Sequence, residues 1–405
     1  MASDDGPTSA DHDEIDTGTE IDTDTEIDIN ATMPRLPLLD RVKFAVLAVV
    51  MQLGVRVLQR LMRAVLDFVS PAARATRPTL VKRYAVRNAL PVRIFIPESL
   101  TQSSTSNLPV LLTIHGGGFV MGAPADDDAW NRAFADEHGV VVVALNYSKA
   151  PWSAFPAPVH DIAALVGCVL SDSSLPIDSA RAALAGFSAG GNLALSAAAL
   201  PGVRARVKAV VPVYPCADWV PRAAVKATTR RYKAALGGFR GRADDYLLPA
   251  VGVFQWAYLR AGQPLADGVL SPARGPRGAL PGSVFVVACE LDMLAGEAWR
   301  LACGLAGRAV PAVRAEVGQE AVTAGHGELI LDDERFAFED VVEQEGGVGR
   351  YRWLLVPDVV HGFDHEDTKF LVRDEVAMDD ARIKTAKVRT MIGRWLLDGP
   401  LGGNA

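Results

Sequence analysis

The chain has 405 residues and a net charge of −7, and 49% of its residues are hydrophobic, so it can bury a large core. The acids are concentrated at one end, because residues 1–34 hold 11 Asp or Glu and neither Lys nor Arg. The remaining chain is only slightly basic, which argues against the concentrated basic face of an obligate nucleic-acid binder.

Residues 1–33 predict a disordered acidic tail. They repeat Asp, Glu and Thr without an aromatic residue, and such a segment cannot bury enough apolar surface to offset the entropy of ordering. A secretory signal would instead need positive charge followed by an apolar run. The four cysteines stand singly, without metal-ligand spacing, and predict reduced thiols. We therefore expect a cytoplasmic protein.

Residues 34–75 predict a helical segment. Its apolar stretch from Phe44 to Val55 covers about a dozen residues, whereas a bilayer span needs about 20. A helix packed on the protein's own surface is the favoured interpretation. A peripheral anchor that lies in the membrane interface, giving weak membrane association, is the alternative.

From residue 81 onward, short apolar runs alternate with helix-like stretches. The runs are bounded by Gly or Pro and are rich in Val, which predicts the α/β class, with a mostly parallel central sheet and helices on both faces. These runs are YAVRNALPVRIFIP, LPVLLTIH, VVVVALNY, AALAGF, VKAVVPVYP, SVFVVACE and RWLLVP.

Two stretches interrupt this alternation. Residues 217–270 are Arg-rich and helix-like, and we interpret them as an inserted helical cap. Residues 313–349 cluster acids around one short apolar run, and we expect an acidic surface insertion with a hairpin around LILDDERFAF. The predicted core therefore comes in two parts, 76–216 and 271–400.

The segment Gly186-Phe187-Ser188-Ala189-Gly190 carries the strongest chemical indication. It follows a strand-like run and precedes a helix of small residues. Glycines on both sides of the serine permit a sharp strand-to-helix turn that exposes the hydroxyl. Alone, such a pentapeptide is as well explained by an ordinary Gly-rich turn, but this context predicts a nucleophilic serine.

The segment His115-Gly116-Gly117-Gly118-Phe119 follows the run LPVLLTI. A series of glycines at a strand end leaves backbone N–H groups free to point at the oxygen that becomes negative during acyl transfer. A flexible loop is the alternative interpretation. We expect His115 to brace this loop by hydrogen bonding rather than to transfer protons.

A nucleophilic serine needs a base, and the base needs an acid that orients it. Asp292 follows the strand-like SVFVVACE, and His361 follows RWLLVP. Because the carboxyl ends of parallel strands meet at one edge of a sheet, these residues can converge on Ser188. Glu290 is an alternative acid. Other histidines are less suited to be the base, either because they do not directly follow a strand or because they fall in the tail or on helices: His365, His326, His12, His138 and His160.

Four motifs together resemble the hormone-sensitive-lipase family of α/β-hydrolases: HGGGF, GFSAGGN, the stretch from Asp292 to Glu297, and HGF. The resemblance covers roughly residues 80–397. It implies an α/β-hydrolase fold in which Gly117, Gly118 and Ala189 donate backbone N–H groups to the oxyanion. It also implies that the N-terminal helices and the 217–270 insertion form one lid over the active site.

The chain departs from the family pattern at several positions. Ser148, Lys149 and Trp152 stand where the family most often has Arg, Leu and Glu, and Met293 replaces the usual proline after the acid. The predicted cap is rich in basic residues. We expect these to form a solvated helix face, with attraction of an anionic substrate or a membrane as the alternative: Lys226, Arg230, Arg231, Lys233, Arg240 and Arg242.

These patterns predict a serine carboxylesterase that hydrolyses a small-molecule or short to medium acyl ester through an acyl-enzyme. Ser188 would be the nucleophile, His361 the base and Asp292 its orienting acid. We expect neither a metal nor an organic cofactor. An amide deacetylase or an acyltransferase on the same triad is the nearest alternative, and a non-catalytic small-molecule receptor is a more distant one.

Overall fold

The structure is a computed structural model that describes residues 28–100, 107–321, 324–344, 347–365, 368 and 372–402. The predicted acidic tail therefore falls almost entirely outside the described residues.

A nine-stranded sheet runs through the molecule in the order β1-β2-β4-β3-β5-β6-β7-β9-β8. The six strands from β4 to β9 in this order are parallel, while β1, β2 and β8 pair antiparallel at the two ends. The strands are β1 Leu80–Lys82, β2 Val92–Phe95, β3 Leu108–Ile114, β4 Val141–Leu145, β5 Ile177–Phe187, β6 Ala209–Val213, β7 Ser283–Cys289, β8 Ala337–Gln344 and β9 Gly347–Val356.

Helices cover both faces of the sheet, as predicted. Helices α4, α5 and α9 pack on one face, and α3 and α10 on the other. The helices are α1 Leu38–Val69, α2 Pro71–Ala75, α3 Asp128–His138, α4 Ala157–Leu170, α5 Ala189–Ala199, α6 Pro201–Arg204, α7 Ala223–Thr228, α8 Leu248–Tyr258, α9 Ala295–Ala306 and α10 Glu375–Leu397.

The central strands are buried on both faces, which explains their continuous apolar runs. In β3, Val110, Leu112 and Ile114 face the core under α4 and α5, while Leu111 faces the core under α3 and α10. All seven predicted runs contain strands of the sheet. The edge strands β1 and β8, which lack a continuous apolar run, were not predicted.

Helix α1 is much longer than the apolar stretch that predicted it, and its described side chains are covered on one face only. Its inner face packs on α8, where Phe44 lies 6.3 Å from Trp256 between ring centroids and Ala48 is fully buried. Its outer face leaves Val46 and Val50 exposed. The prediction that this helix packs on the protein's own surface therefore holds for one of its faces. None of the described helices combines the length and hydropathy that crossing a bilayer requires.

The predicted solvated basic face of residues 217–270 is wrong for its central members. Lys226, Arg230 and Lys233 are buried, and each forms an ion pair with a carboxylate that is also buried. The segment has little helix beyond α7 and α8, and much of it is irregular chain held by these pairs. Sequence alone shows the basic residues but not the acids that lie opposite them.

The acidic stretch 313–349 forms a hairpin, but not where predicted. The described residues between 313 and Phe336 are irregular apart from turns, and the hairpin is made by β8 and β9, which pair from Ala337 with Leu354 to Gln344 with Gly347. Because β9 also pairs with β7, the second half of this stretch belongs to the central sheet.

Candidate active site

Ser188 lies at the turn between β5 and α5, at the carboxyl edge of the sheet. Its φ of 55° and ψ of −117° place it in a strained backbone region that non-glycine residues rarely adopt. The flanking glycines are sterically required, since a Cβ on Gly186 would lie 2.1 Å from the Gly190 carbonyl oxygen and one on Gly190 would lie 2.1 Å from that of Ile114. The turn therefore projects Ser188 away from the sheet edge, as predicted for a nucleophile elbow.

The structure brings Ser188, His361 and Asp292 together from three separate strand ends. His361 Nε2 lies 2.8 Å from Ser188 Oγ, and His361 Nδ1 lies 2.7 Å from Asp292 Oδ2. Because a carboxylate can only accept, Nδ1 carries the proton and Nε2 is left to accept from the serine hydroxyl. This is the geometry of a nucleophile, a general base and an orienting acid.

The acid loop is held by several hydrogen bonds. Asp292 accepts from the backbone N–H of Leu294 at 2.9 Å, and Asp245 accepts from that of Met293 at 2.9 Å. Met293 stands where the family pattern has proline, and only a residue with an N–H can make this contact. Burial, followed by the nearby charge of Asp292, raises the pKa of Asp245.

The glycine loop after β3 lies against the serine turn. A Cβ on Gly116 would lie 3.4 Å from Ser188 Cβ, so the two segments are in contact. Gly117 and Gly118 have φ of 107° and 58°, which favour glycine, and a Cβ on Gly118 would also collide with the Phe254 ring at 2.6 Å. These glycines and Ala189 line the same cavity as Ser188.

Behind this loop, His115 and Lys149 form a buried pair. His115 Nδ1–H donates to the Gly116 carbonyl at 2.8 Å, and the Lys149 ammonium lies 3.1 Å from Nε2, where it can donate. Burial, and then the charge of Lys149, hold the pKa of His115 well below its usual range. The neutral His115 therefore ties the loop to the chain after β4, in line with the expected bracing role.

The other candidates lie away from the serine hydroxyl. Glu290 forms an ion pair with Lys233, His326 lies on the surface beside Asp379, and His365 lines the cavity wall with its Nε2 3.4 Å from Asp127. His138 and His160 lie on α3 and α4, as expected, and His12 is outside the described residues.

Sequence reasoning missed two tyrosines that contact His361. The Tyr246 hydroxyl donates to the His361 carbonyl at 2.8 Å, and the Tyr214 ring centroid lies 4.6 Å from that of His361. Tyr214 directly follows β6 at the carboxyl edge of the sheet, a position that could have indicated it. Tyr246 lies in irregular chain, where the sequence offers no such indication.

Ser188 opens into a cavity of about 360 Å³ with a mainly apolar wall. Polar side chains enter it at a few points besides the serine and the histidine. Burial raises the pKa of one carboxyl behind the wall, Asp127, to about 7, although His365 opposes this shift. The apolar wall comprises Phe119, Met121, Trp219, Leu247, Val251, Phe254, Met293 and Leu294, and the polar points are Asp126, Lys226, Gln255, His365 and Thr368.

This fold and site define an α/β hydrolase with a serine-centred cavity, and the comparisons agree. Residues 111–322, more than half of the chain, match the family described as having the alpha/beta hydrolase fold. The chain belongs to this family. The predicted resemblance to the hormone-sensitive-lipase type is confirmed by relatives that include arylacetamide deacetylases, an arylesterase and carboxylesterases.

The sequence relatives match over limited stretches. Arylacetamide deacetylase of Bos taurus is 33% identical over 137 residues, which is 32% of this chain and 34% of that protein. Acetyl-hydrolase of Streptomyces hygroscopicus is 33% identical over 187 residues, 44% of this chain and 56% of that protein. The match thus spans only about a third to a half of these relatives' lengths.

The solved structures show the fold over most of the chain. A hyperthermophilic esterase from the archaeon Pyrobaculum calidifontis superposes with a TM-score of 0.58 at 22% identity, covering 90% of this chain and 99% of that one. The thermostable carboxylesterase EstE1, cloned from a metagenomic library, superposes with a TM-score of 0.54 at 24% identity, covering 82% and 96%. The predicted α/β-hydrolase fold is confirmed.

Proposed function

We propose that this protein is a serine carboxylesterase acting on small-molecule esters with short to medium acyl chains. The observation that carries the proposal is the hydrogen-bonded series Ser188, His361 and Asp292, of which Ser188 and His361 line a largely apolar cavity. A volume of about 360 Å³ suits a small ligand. The esterases among the relatives and solved structures support the same activity.

In the first half-reaction, His361 Nε2 takes the Ser188 proton as Oγ attacks the ester carbonyl. The backbone N–H groups of Gly117, Gly118 and Ala189 are proposed to bind the oxyanion, which is worth roughly 3 to 4 kcal/mol for each effective donor. Asp292 holds the imidazole tautomer and stabilises the imidazolium.

Collapse of the tetrahedral intermediate expels the alcohol, which receives the proton from His361 and leaves an acyl-enzyme on Ser188. Water then repeats the sequence, with His361 first as base and then as acid, and releases the carboxylic acid. Every proton transfer is supplied by these side chains, so we propose a reaction without metal or organic cofactor.

An amide deacetylase is the second candidate, favoured by the 33% identity to arylacetamide deacetylase. Both activities share the acyl-enzyme and differ in the leaving group, since an amine needs proton donation from His361 earlier than an alcohol does. Relative turnover of an aryl ester and the matching anilide distinguishes them.

Turnover of p-nitrophenyl esters from acetyl to dodecanoyl, together with p-nitroacetanilide, tests the proposal. We expect the wild type to prefer short or medium acyl esters and Ser188→Ala to lose at least about 10³-fold in kcat. Ser196→Ala, the same substitution two turns further along α5, is the matched control and should retain activity. Equal rates for wild type and Ser188→Ala would overturn the assignment, and a preference for the anilide would select the deacetylase.

We propose in addition that α1 binds peripherally to anionic membranes from the cytoplasmic side. Its uncovered face carries a continuous series of exposed aliphatic residues spaced three or four apart, and exposed cations flank its start at Arg35, Arg41 and Lys43 beside the acid Asp40. An apolar face with flanking cations is typical of an interfacial helix. The aliphatic residues are Leu39, Val42, Val46, Val50, Leu53, Val57 and Leu61.

Co-sedimentation of the full chain with vesicles tests this proposal, using phosphatidylcholine alone or with 30% phosphatidylglycerol. We expect binding to the anionic vesicles that weakens with salt and falls several-fold in the double variant Val46→Gln/Val50→Gln. The control Val81→Gln/Val341→Gln changes two exposed valines on the edge strands. Equal binding of the two double variants, or no binding by wild type, would contradict the proposal.

A further inference from the structure

A cluster of three charged side chains lies buried beside the triad. Lys233 Nζ is 2.8 Å from Glu290 Oε2 and 2.6 Å from Asp358 Oδ1, and the exposures of the three side chains are 0%, 0% and 3%. Glu290 also accepts from the Asp358 backbone N–H at 3.0 Å and from that of Gln319 at 2.9 Å. None of the three cluster residues lines the cavity at Ser188.

The two carboxylates belong to the two loops that carry the acid and the base. Glu290 directly follows β7 and precedes Asp292 by two residues, while Asp358 follows β9 and precedes His361 by three. Asp358 has a φ of 57°, a left-handed conformation that needs support from its surroundings in a non-glycine residue. The ammonium group of Lys233 therefore joins the two loops a few residues before their catalytic side chains.

Lys233 comes from a different part of the chain, the segment between β6 and β7. The same segment contacts the acid loop again through Arg230, whose Nε–H donates to the Leu291 carbonyl at 3.0 Å. The segment thus contacts the acid loop at two adjacent residues, Glu290 and Leu291, and it contacts the base loop through Asp358.

A gain in stability does not explain why such a cluster should be ionic. Moving three charges out of water costs several kcal/mol for each ion, and well-packed apolar residues of similar volume are often as stabilising as a buried ion pair. Charged hydrogen bonds differ from apolar packing in fixing directions and distances. The arrangement therefore suits a role in fixing the relative positions of the two loops.

We infer that Lys233 is a positioning residue for the proposed hydrolysis, setting the separation of the Asp292 and His361 loops. The inference rests on the proposed function. The hydrogen bond from His361 to Asp292 spans two loops that could otherwise shift independently, and a displacement of about 1 Å in a catalytic group can cost roughly 10²-fold in rate. Lys233 acts through these loops and touches neither substrate nor the reacting atoms.

Steady-state kinetics with p-nitrophenyl acetate tests the inference on Lys233→Met. We expect kcat to fall by roughly 10- to 100-fold while KM changes less than about threefold, since the cavity wall is untouched. Lys82→Met is the matched control, because Lys82 pairs with Asp172 at the far edge of the sheet. It should keep both constants. A Lys233→Met enzyme with wild-type kcat, or with a change confined to KM, would overturn the inference.

A double-mutant cycle with Asp358→Asn separates positioning from a general loss of stability. If both residues act through one contact, Lys233→Met/Asp358→Asn should lose no more in kcat than Lys233→Met alone, at temperatures where urea unfolding shows each variant folded. Additive losses would contradict a shared contact.

If Lys233→Met fails to fold, Lys233→Met/Glu290→Gln removes one charge of each sign and serves in its place, with the same loss of kcat expected. The rate at which a p-nitrophenyl phosphonate modifies Ser188 gives a second readout. If wild type shows neither ester turnover nor modification, the proposed function itself fails. If wild type is active and the Lys233 variant is equally active, only this inference fails.

Discussion

At the scale of single residues, the site depends on backbone conformations that only particular side chains allow. The sharp turn at Ser188 could be predicted, because the strand-like run before it and the small-residue helix after it supply the context that the pentapeptide alone lacks. The two tyrosines at His361 were not predictable, because their contacts come from chain far away in sequence. The catalytic candidates can be identified from local sequence, whereas the residues that support them are brought together only by the tertiary structure.

Gly118→Ala should lower kcat by at least about 10²-fold. Its new methyl group would collide with Phe254 and disturb the N–H groups proposed to bind the oxyanion. Gly139→Ala is the matched control, since Gly139 has nearly the same φ, 63° against 58°, with no atom within 4 Å of the added Cβ. Both variants should lose about 1 kcal/mol of stability from the left-handed backbone. Equal kcat in the two would contradict the role of Gly118.

Asp127 should make stability fall as pH rises from about 4 to 7. Its pKa is raised by burial from 3.8 to about 7, so within this window the folded state retains a proton that the unfolded state has released. The unfolding free energy therefore decreases with pH, by on the order of 4 kcal/mol from this group. In Asp127→Asn this slope should be absent, as measured by urea unfolding at several pH values. If the unfolding free energies of wild type and Asp127→Asn changed in parallel with pH, the raised pKa of Asp127 would be refuted.

At the scale of elements, the strands could be predicted and their connections could not. Runs such as LPVLLTIH are buried on both faces, so their sequences are continuously apolar. The segment 217–270 is held by ion pairs to acids elsewhere in the chain, and its basic residues therefore resembled a solvated surface. Pairing across long sequence separations leaves no periodic pattern in either partner.

Gln52→Leu should destabilise the protein by about 1 to 3 kcal/mol. Gln52 is buried in α1 and its side-chain amide donates to the Ala150 carbonyl at 2.6 Å, so its loss leaves that carbonyl without this donor. Ala150 in turn donates to the Phe119 carbonyl at 3.0 Å, which links α1 to the glycine loop.

The neighbouring substitution Leu53→Gln is the control for this prediction. Leu53 is 57% exposed, so its change should stay within about 0.5 kcal/mol. Urea denaturation monitored by circular dichroism measures both variants. Equal midpoints would show that the contact from α1 carries no stability.

At the scale of the whole molecule, the site lies at one edge of the sheet, where the carboxyl ends of its parallel strands meet. The turns after β3, β5, β7 and β9 supply the glycine loop, Ser188, Asp292 and His361, and the chain between β6 and β7 lies over them with α1 behind it. This convergence follows from topology alone and could be predicted. The size of the cavity depends on how α8 and the irregular chain of residues 217–270 pack, and sequence patterns do not encode that.

The most direct measurement is the mass of the intact protein after treatment with a p-nitrophenyl alkylphosphonate, followed by peptide mapping. A nucleophilic Ser188 displaces p-nitrophenolate and retains the phosphonyl group. We predict a single adduct on Ser188, absent in Ser188→Ala and formed at least about 10²-fold more slowly in His361→Gln. An adduct at another residue, or none on folded protein, would contradict the assignment of Ser188 as the nucleophile.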